Sequence, residues 1–136
     1  MIDPKVEHDE FVKEVSNIMA KLNPDINKPE FQYSDAPKKY MINPSKIDLL
    51  VQVGGTIIIF ECKLNIELKK RSKQLDFHYK NLNKNKLKFV QTGRLNNFNE
   101  IIKIFATKNK NKLINTETMV KFDINSDFIN NPKIIL

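Results

Sequence analysis

Several features are scarce in this chain of 136 residues, and each shortage excludes a class of protein. The single cysteine, Cys62, excludes an internal disulfide and a zinc site built from several cysteines. No apolar run approaches the roughly 18–20 residues that a membrane-spanning helix needs, so we expect no membrane partner. The N-terminal stretch MIDPKVEHDEFVKEV lacks the basic and then apolar order of a signal peptide. We therefore expect an intracellular protein, or one inside the host cell if it is viral.

Arginine is also scarce, with only Arg71 and Arg94, although lysine is abundant and the formal net charge is +7. A basic chain with a pI of about 9.4 favours an anionic partner such as nucleic acid. An AT-rich genome produces the same excess of lysine, asparagine and isoleucine without selection for binding. The charge therefore supports a nucleic-acid partner only in combination with the motifs below.

The spacing of apolar residues and the positions of glycine and proline predict one domain over residues 1–136. We expect an α/β fold in which a central mixed β-sheet is flanked by helices. The first predicted elements are a helix over 5–22, a loop over 23–45 with a short strand around Phe31–Tyr33, and strands over 46–53 and 56–63. They are followed by a helix over 66–82, whose apolar stripe includes Leu68, Leu75, Tyr79 and Leu82, and by strands over 86–92 and 118–124. Residues 97–107 fit either a helix or a strand, and a helix is preferred.

Three charged residues interrupt an otherwise apolar hairpin. The Gly54-Gly55 dipeptide predicts a tight turn, because the favoured hairpin turns need positive φ. With this turn, Asp48 and Glu61 stand directly opposite each other and are predicted to share one face of the sheet. Lys63 follows two residues after Glu61 and shares that face, whereas Cys62 points to the other face.

Two carboxylates at this separation repel each other unless a cation lies between them. Asp48 and Glu61 therefore predict a divalent metal site, and oxygen donors with open positions for water and phosphate favour Mg²⁺, which Mn²⁺ can replace. The backbone carbonyl of Cys62 is a further candidate ligand, and Lys63 would orient or activate the attacking water. This chemistry is typical of metal-dependent phosphodiester hydrolysis.

The hairpin resembles the active-site signature of the PD-(D/E)XK nuclease superfamily. Asp48 matches the first Asp of that signature, and Glu61, Cys62 and Lys63 match (D/E)XK, although Ile47 replaces the Pro that precedes the Asp. The resemblance covers roughly residues 5–92 and is nearest, in hairpin spacing, to the archaeal Holliday-junction resolvases. It implies a restriction-endonuclease-like core and a nuclease active site.

The resemblance also implies supporting residues on the two helices that flank the hairpin. Many members place a carboxylate on the first helix, and Glu7 is the preferred candidate for this metal ligand. Other first-helix candidates are left open, namely His8, Glu10 and Glu14. The helix after the Lys often carries a Gln or Tyr that contributes to the site, and Gln74 matches that position.

Basic residues that follow the hairpin are candidate contacts to the phosphate backbone, since such contacts give affinity without sequence specificity. These candidates are Lys69, Lys70, Arg71 and Arg94. The sequence thus predicts a DNA endonuclease with structure-selective or low sequence specificity, which would act as a homodimer if it cuts two strands. An RNA-cleaving nuclease or toxin of the same fold, a non-catalytic nucleic-acid-binding module and a salt-bridged structural domain remain open alternatives.

Overall fold

The computed structural model describes residues 3–32, 46–63, 72–107 and 133–135 of the chain. The described helices and strands follow one another as α1 (Pro4–Ala20), β1 (Ile26–Gln32), β2 (Lys46–Val53), β3 (Thr56–Lys63), α2 (Ser72–Lys84), α3 (Lys86–Gln91), β4 (Glu100–Thr107) and β5 (Lys133–Ile135). The strands form one mixed sheet in the order β1-β2-β3-β4-β5. Strands β1, β2 and β3 form an antiparallel meander, whereas β4 lies parallel to β3 and to β5. The predicted central mixed sheet flanked by helices is confirmed.

The sheet is covered by helices on both faces, and each face has its own apolar core. On one face, α1 packs through buried side chains such as Phe11 and Val15 against Leu49, Val51 and Phe60. On the other face, α2 and α3 bury Leu75, Leu82 and Phe89 against strand residues of alternating register, including Leu50, Ile57 and Ile59. Because β3 is apolar on both faces, it is a central strand buried between two layers.

The site-bearing elements form where their sequence predicts them. The side chain of Asp3 caps α1 by accepting a hydrogen bond from the backbone N–H of Lys5 at 2.9 Å, and Pro4 occupies the first turn. Gly54 adopts a φ of +58°, which the tight turn between β2 and β3 requires and glycine permits. The predicted helix over 5–22 and the predicted hairpin are therefore confirmed, within one or two residues at the helix ends.

An irregularity in β2 turns two successive residues toward α1. Leu50 and Ile47 pack in the core on the α2 side, whereas Leu49 packs in the core on the α1 side. Between Ile47 and Leu49, the carboxylate of Asp48 approaches a histidine of α1, so Asp48 and Leu49 both face that helix. Regular strands alternate their faces at every residue, so β2 carries a bulge-like break at this point.

The neighbouring strand β1 carries a matching irregularity. Pro29 and Glu30 both line a cleft against α1, and the next residue, Phe31, is buried in the core on the α2 side. Glu30 has a φ of +56°, which is uncommon for a residue other than glycine. The strand is an edge strand, where Pro29 is tolerated because its missing N–H costs no central ladder bond.

Two predicted elements after residue 85 are wrong. The strand predicted over 86–92 is the short helix α3, in which Phe89 is buried and Leu87 is 70% exposed. The helix preferred over 97–107 is wrong, and the strand alternative is right, because β4 pairs in parallel with β3 from Thr56–Glu100 to Lys63–Thr107. A strand buried on both faces has a continuous apolar run, and such a run also fits helical spacing. Residues 100–107 form a strand because they pair with β3.

The remaining elements agree only in part with the prediction. The short strand expected around Phe31–Tyr33 begins earlier, as β1 spans Ile26–Gln32. The described part of the helix predicted over 66–82 is α2, where Leu75 and Leu82 are buried as expected. Tyr79 is 37% exposed and is not a core residue, because the buried position one residue earlier belongs to His78. Leu68 and the strand predicted over 118–124 lie outside the described residues.

Within the part of the chain that the structure describes, no helix is long and apolar enough to cross a membrane. The single domain predicted over residues 1–136 stays a prediction.

Candidate functional site

The candidate site is centred on the peptide group of Cys62, near the end of β3. The last regular pair of the β2–β3 ladder is Leu49–Phe60. Beyond it, the backbone N–H of Cys62 donates to Oδ2 of Asp48 at 2.8 Å, and the carbonyl oxygen of Cys62 accepts from Nε2 of His8 at 2.9 Å. The same Nε2 lies 3.5 Å from Oδ2 of Asp48. Two oxygen atoms, one carboxylate and one carbonyl, therefore converge on one point.

Glu61, the residue before Cys62 on β3, lies on the other side of the sheet from Asp48. Ile57 and Ile59 face the α2 side, and alternation along β3 places Glu61 on that side as well. The Glu61 carboxylate is 1% exposed, and burial of a carboxylate is costly unless it is compensated. The predicted common face of Asp48 and Glu61 is therefore wrong, because the break in β2 turns Asp48 toward α1.

His8 is the first-helix residue that reaches the site. Because a carbonyl oxygen only accepts, Nε2 of His8 carries the hydrogen that points at Cys62. Its other ring nitrogen, Nδ1, lies 3.6 Å from Oδ1 of Asp9. The Asp48 carboxylate raises the pKa of His8 above its ordinary value, against the opposing effect of partial burial. The imidazolium form is thus favoured by the acidic group that it faces.

Glu7, the preferred first-helix candidate in the sequence, lies exposed in the first turn of α1. Adjacent helix residues point about 100° apart, so the orientation that brings His8 to Cys62 turns Glu7 away from it. Glu10 is exposed and Glu14 is half-buried further along the helix. Among these first-helix candidates, the structure brings His8, which the sequence had left as an open alternative, into contact with Cys62 and Asp48.

A second histidine lies on the opposite side of the sheet. His78 of α2 is fully buried, and burial lowers its pKa to about 4, although the charge of Asp48 acts in the opposite direction. His78 is therefore neutral at physiological pH, and Asp48 lies within electrostatic reach of imidazoles in both layers. Gln74, one turn earlier on α2, is exposed. The orientation of α2 thus brings His78 rather than Gln74 toward the sheet.

The side chains of four other predicted site residues lie outside the part of the chain that the structure describes. The backbone of Lys63 pairs with Thr107 at the end of β3, but its side chain lies outside the described part of the chain. Lys69, Lys70 and Arg71 also lie outside the described residues. Their roles therefore stay predictions.

Arg94, a predicted phosphate contact, is engaged within the protein. Its guanidinium lies over the rings of Phe31 and Phe89, 4.7 Å and 5.3 Å from their centroids, and donates to the backbone carbonyl of Gln32. These contacts join the loop after α3 to the edge strand β1. Arg94 as a residue is exposed, and its contact with phosphate stays a prediction alongside this structural role.

An open cleft of about 230 Å³ leads to Asp48 from the α1 side. Its lining comes from α1, β1 and β2 and consists of His8, Asp9, Val12, Lys13, Pro29, Glu30 and Asp48. Lys13 adds a cation at the rim that the sequence analysis had not singled out. A group from solvent can therefore reach the Asp48 carboxylate from the α1 side of the sheet.

The donor atoms fit a hard divalent cation. Among the described residues, no three Asp, Glu, His or Cys side chains form a cluster that could hold a metal by themselves. A metal would therefore depend on a backbone ligand, and the carbonyl oxygen of Cys62 is suitably placed, because it converges with Oδ2 of Asp48 on Nε2 of His8. Carboxylate and carbonyl oxygens are the ligands that Mg²⁺ prefers in proteins.

No protein-family model matches the chain, and no curated protein matches it. Among solved structures, the chain is similar to the small subunit of the heterodimeric restriction endonuclease R.BspD6I, with a TM-score of 0.38 and 22% sequence identity. The match covers 94% of this chain and 62% of that subunit, so this chain spans less than two thirds of the subunit's length.

Proposed function

We propose that this protein is a Mg²⁺-dependent nuclease, most simply a DNA endonuclease with structure-selective or low sequence specificity. The observation that carries the proposal is the convergence of the Asp48 carboxylate and the Cys62 carbonyl on one point, with the buried Glu61 at the preceding residue of β3. An acidic pair and a backbone oxygen at the end of a hairpin match the signature on which the sequence resemblance rests. The net charge of +7 favours a polyanionic substrate.

Each residue of the site has a role in this proposal. Asp48 and the Cys62 carbonyl would hold Mg²⁺, which when bound supplies Lewis-acid stabilisation of charge on the phosphate. Glu61 would add its negative charge from the other face of the sheet. The N–H of Cys62 fixes Oδ2 of Asp48, so this carboxylate is preorganised before substrate arrives. Lys63 would position the attacking water and offset negative charge that develops on the phosphate. Nε2 of His8 lies at the point where the Asp48 carboxylate and the Cys62 carbonyl oxygen converge.

A cleavage assay on labelled substrates tests the proposal. The substrates are duplex DNA, single-stranded DNA, a four-way junction, a flap and structured RNA, each with Mg²⁺, with Mn²⁺ and with EDTA. Asp48→Asn, Glu61→Gln and Lys63→Ala are expected to abolish cleavage. Glu100→Gln is the matched control, because Glu100 lies at the opposite end of the sheet and its hydrogen bond with Thr56 can be kept by an amide.

The outcome also separates the alternatives. Cleavage of RNA alone would favour an RNA-cleaving nuclease or toxin of the same fold. Equal DNA binding in Mg²⁺ and EDTA without cleavage would favour a non-catalytic binding module and would overturn the proposal. The proposed partners are nucleic acid and, for a junction-cutting activity, a second copy of the chain, with an intracellular location or the interior of a host cell.

A further inference from the structure

We infer that Glu30 is a positioning residue: its left-handed backbone conformation orients the side chain of Asp48 toward the candidate site. The β1–β2 ladder passes from Pro29–Leu49 to Phe31–Ile47, and Glu30 and Asp48 stand opposite each other between these two pairs. The positive φ of Glu30 falls on the rung where both strands change face. This inference deepens the proposed function, and the importance of Glu30 for catalysis rests on that function.

The geometry explains why the break has to involve both strands. In a regular ladder Asp48 would alternate with Leu49 and point to the α2 side, like Leu50 two residues later. A turn of β2 alone would break its pairing with β1 on one side of the bulge. Because β1 turns at the same rung, the pairs on either side keep one register, and Ile47 and Phe31 are buried together on the α2 side.

The side chain of Glu30 supports this arrangement in a second way. Its Oε1 lies 3.1 Å from Nζ of Lys46, which is two residues before Asp48 on the neighbouring strand. This contact keeps a second carboxylate of the cleft paired with a lysine. Both partners are substantially exposed, so the ion pair alone adds little to folding stability. The backbone conformation, rather than the charge, is therefore the part of Glu30 that we expect to matter.

The break also creates the access route to the site. Pro29 and Glu30 form the wall of the cleft opposite α1, and Asp48 is at the same cleft. A regular β1 would direct one of these two residues away from α1 and would return Asp48 to the other face. Bulges occur next to active sites for this reason, since they re-aim a side chain that regular pairing would misplace.

The test compares residues that accept a positive φ with one that does not. Glycine adopts this conformation freely and asparagine tolerates it, whereas a β-branched valine strongly disfavours it. The variants are therefore Glu30→Gly, Glu30→Asn and Glu30→Val, with Glu30→Gln to remove the charge alone. The main measurement is the NMR chemical shift of the Cys62 amide proton, which reports its hydrogen bond to Asp48. Asp48→Ala supplies the reference shift without that bond.

We expect the glycine, asparagine and glutamine variants to keep the Cys62 amide shift and the affinity for Mn²⁺ alone, measured by calorimetry. Glu30→Gly is also expected to keep or raise Tm, since it relieves an unfavourable φ. Glu30→Val should move the amide shift toward that of Asp48→Ala and weaken Mn²⁺ binding by roughly tenfold or more, as loss of outer-shell positioning does.

Two results would overturn the inference. One is a folded Glu30→Val protein with an unchanged Cys62 amide. The other, which remains decisive if the valine variant fails to fold, is a Glu30→Gly protein with a lowered Tm and a shifted Cys62 amide. The amide shift and Tm require neither metal binding nor cleavage, so failure of the proposed nuclease activity and failure of the role of Glu30 are distinguishable.

Discussion

The side chain of Gln52 pairs with the backbone of Asn96 as another peptide group would. Its Nε2 donates to the Asn96 carbonyl at 2.9 Å, and its Oε1 accepts from the Asn96 N–H at 3.0 Å. Gln52 is fully buried next to the hairpin turn, and Nε2 also contacts the carbonyl of Gly54 at 3.1 Å. This one side chain therefore holds the hairpin to the loop that leads into β4.

We expect Gln52→Leu to lower the free energy of unfolding by about 1–3 kcal/mol, because the N–H and C=O of Asn96 lose two hydrogen bonds to a fully buried side chain. Urea unfolding followed by circular dichroism measures the change. The matched control is Gln91→Leu at an exposed position, which should change stability by no more than about 0.5 kcal/mol. Equal effects of the two substitutions would contradict the structural role of Gln52.

Because His78 is buried and its pKa is lowered, we expect the folded protein to lose stability at acidic pH. Its pKa is lowered to about 4 in the folded protein from an ordinary value of 6.5, so between these values the unfolded chain binds more protons. The folded protein is therefore expected to lose stability as pH falls from 6.5 toward 4, by on the order of 3 kcal/mol. Above about pH 7.5 the residue is neutral in both states and contributes no pH dependence.

Urea unfolding at a series of pH values between 4 and 7.5 measures this effect. His78→Phe keeps an aromatic ring in the buried position and removes the titration, so the slope below pH 6.5 should become shallower. His8→Gln is a useful comparison, because the pKa of His8 is shifted in the opposite direction. An unchanged slope in a folded His78→Phe protein would contradict the burial of a neutral imidazole.

Cys62 is predicted to serve the site through its carbonyl and not through its thiol. Its side chain packs in the core on the α1 side, so Cys62→Ala should cost about 1 kcal/mol of stability through the smaller buried side chain. Cleavage is expected to stay within about threefold of the wild-type rate, since the backbone groups that bind Asp48 and His8 remain. A folded Cys62→Ala protein without activity would show that the sulfur itself has a role.

Substitutions of Arg94 distinguish a structural role from the predicted contact with phosphate. Arg94→Lys should lower stability by about 1 kcal/mol, because an ammonium does not reproduce the stacking over Phe31 and Phe89. Thermal unfolding measures this loss. DNA affinity at several salt concentrations measures the other role, since Arg94→Ala reduces the slope of log K against log salt by about one if the residue contacts a phosphate. No change in Tm would contradict the structural role.

The sequence predicted the parts of the fold that depend on local chemistry. Gly54-Gly55 and the flanking apolar strands were sufficient for the hairpin, and the apolar stripe of α1 was sufficient for that helix. Strand β4 was missed because Phe98, Ile101 and Ile102 also fit helical spacing, and only pairing with β3 distinguishes the two. Helix α3 was missed because the alternation of Leu87 and Phe89 resembles a strand when only six residues are available.

The candidate site was predicted in composition but not in arrangement. Asp48 does bind the peptide group of Cys62, yet Glu61 lies on the other face of the sheet, because β2 changes face beside Glu30, where Pro29 was a local signal. His8 could be separated from Glu7 only once the rotation of α1 about its axis was known. Gln52 offered a signal that was overlooked, since a polar residue in an apolar strand beside a turn needs a buried partner.

The five strands that the structure describes lie side by side in the same order as they occur in the chain. Asp48 and Cys62 are only 14 residues apart, so closing one short loop brings the Asp48 carboxylate to the Cys62 peptide group. We expect the meander and its site to belong to the early folding nucleus, while the parallel docking of β4, which needs a helical crossover, follows later. Substitutions in β4 should therefore accelerate unfolding while leaving the refolding rate nearly unchanged.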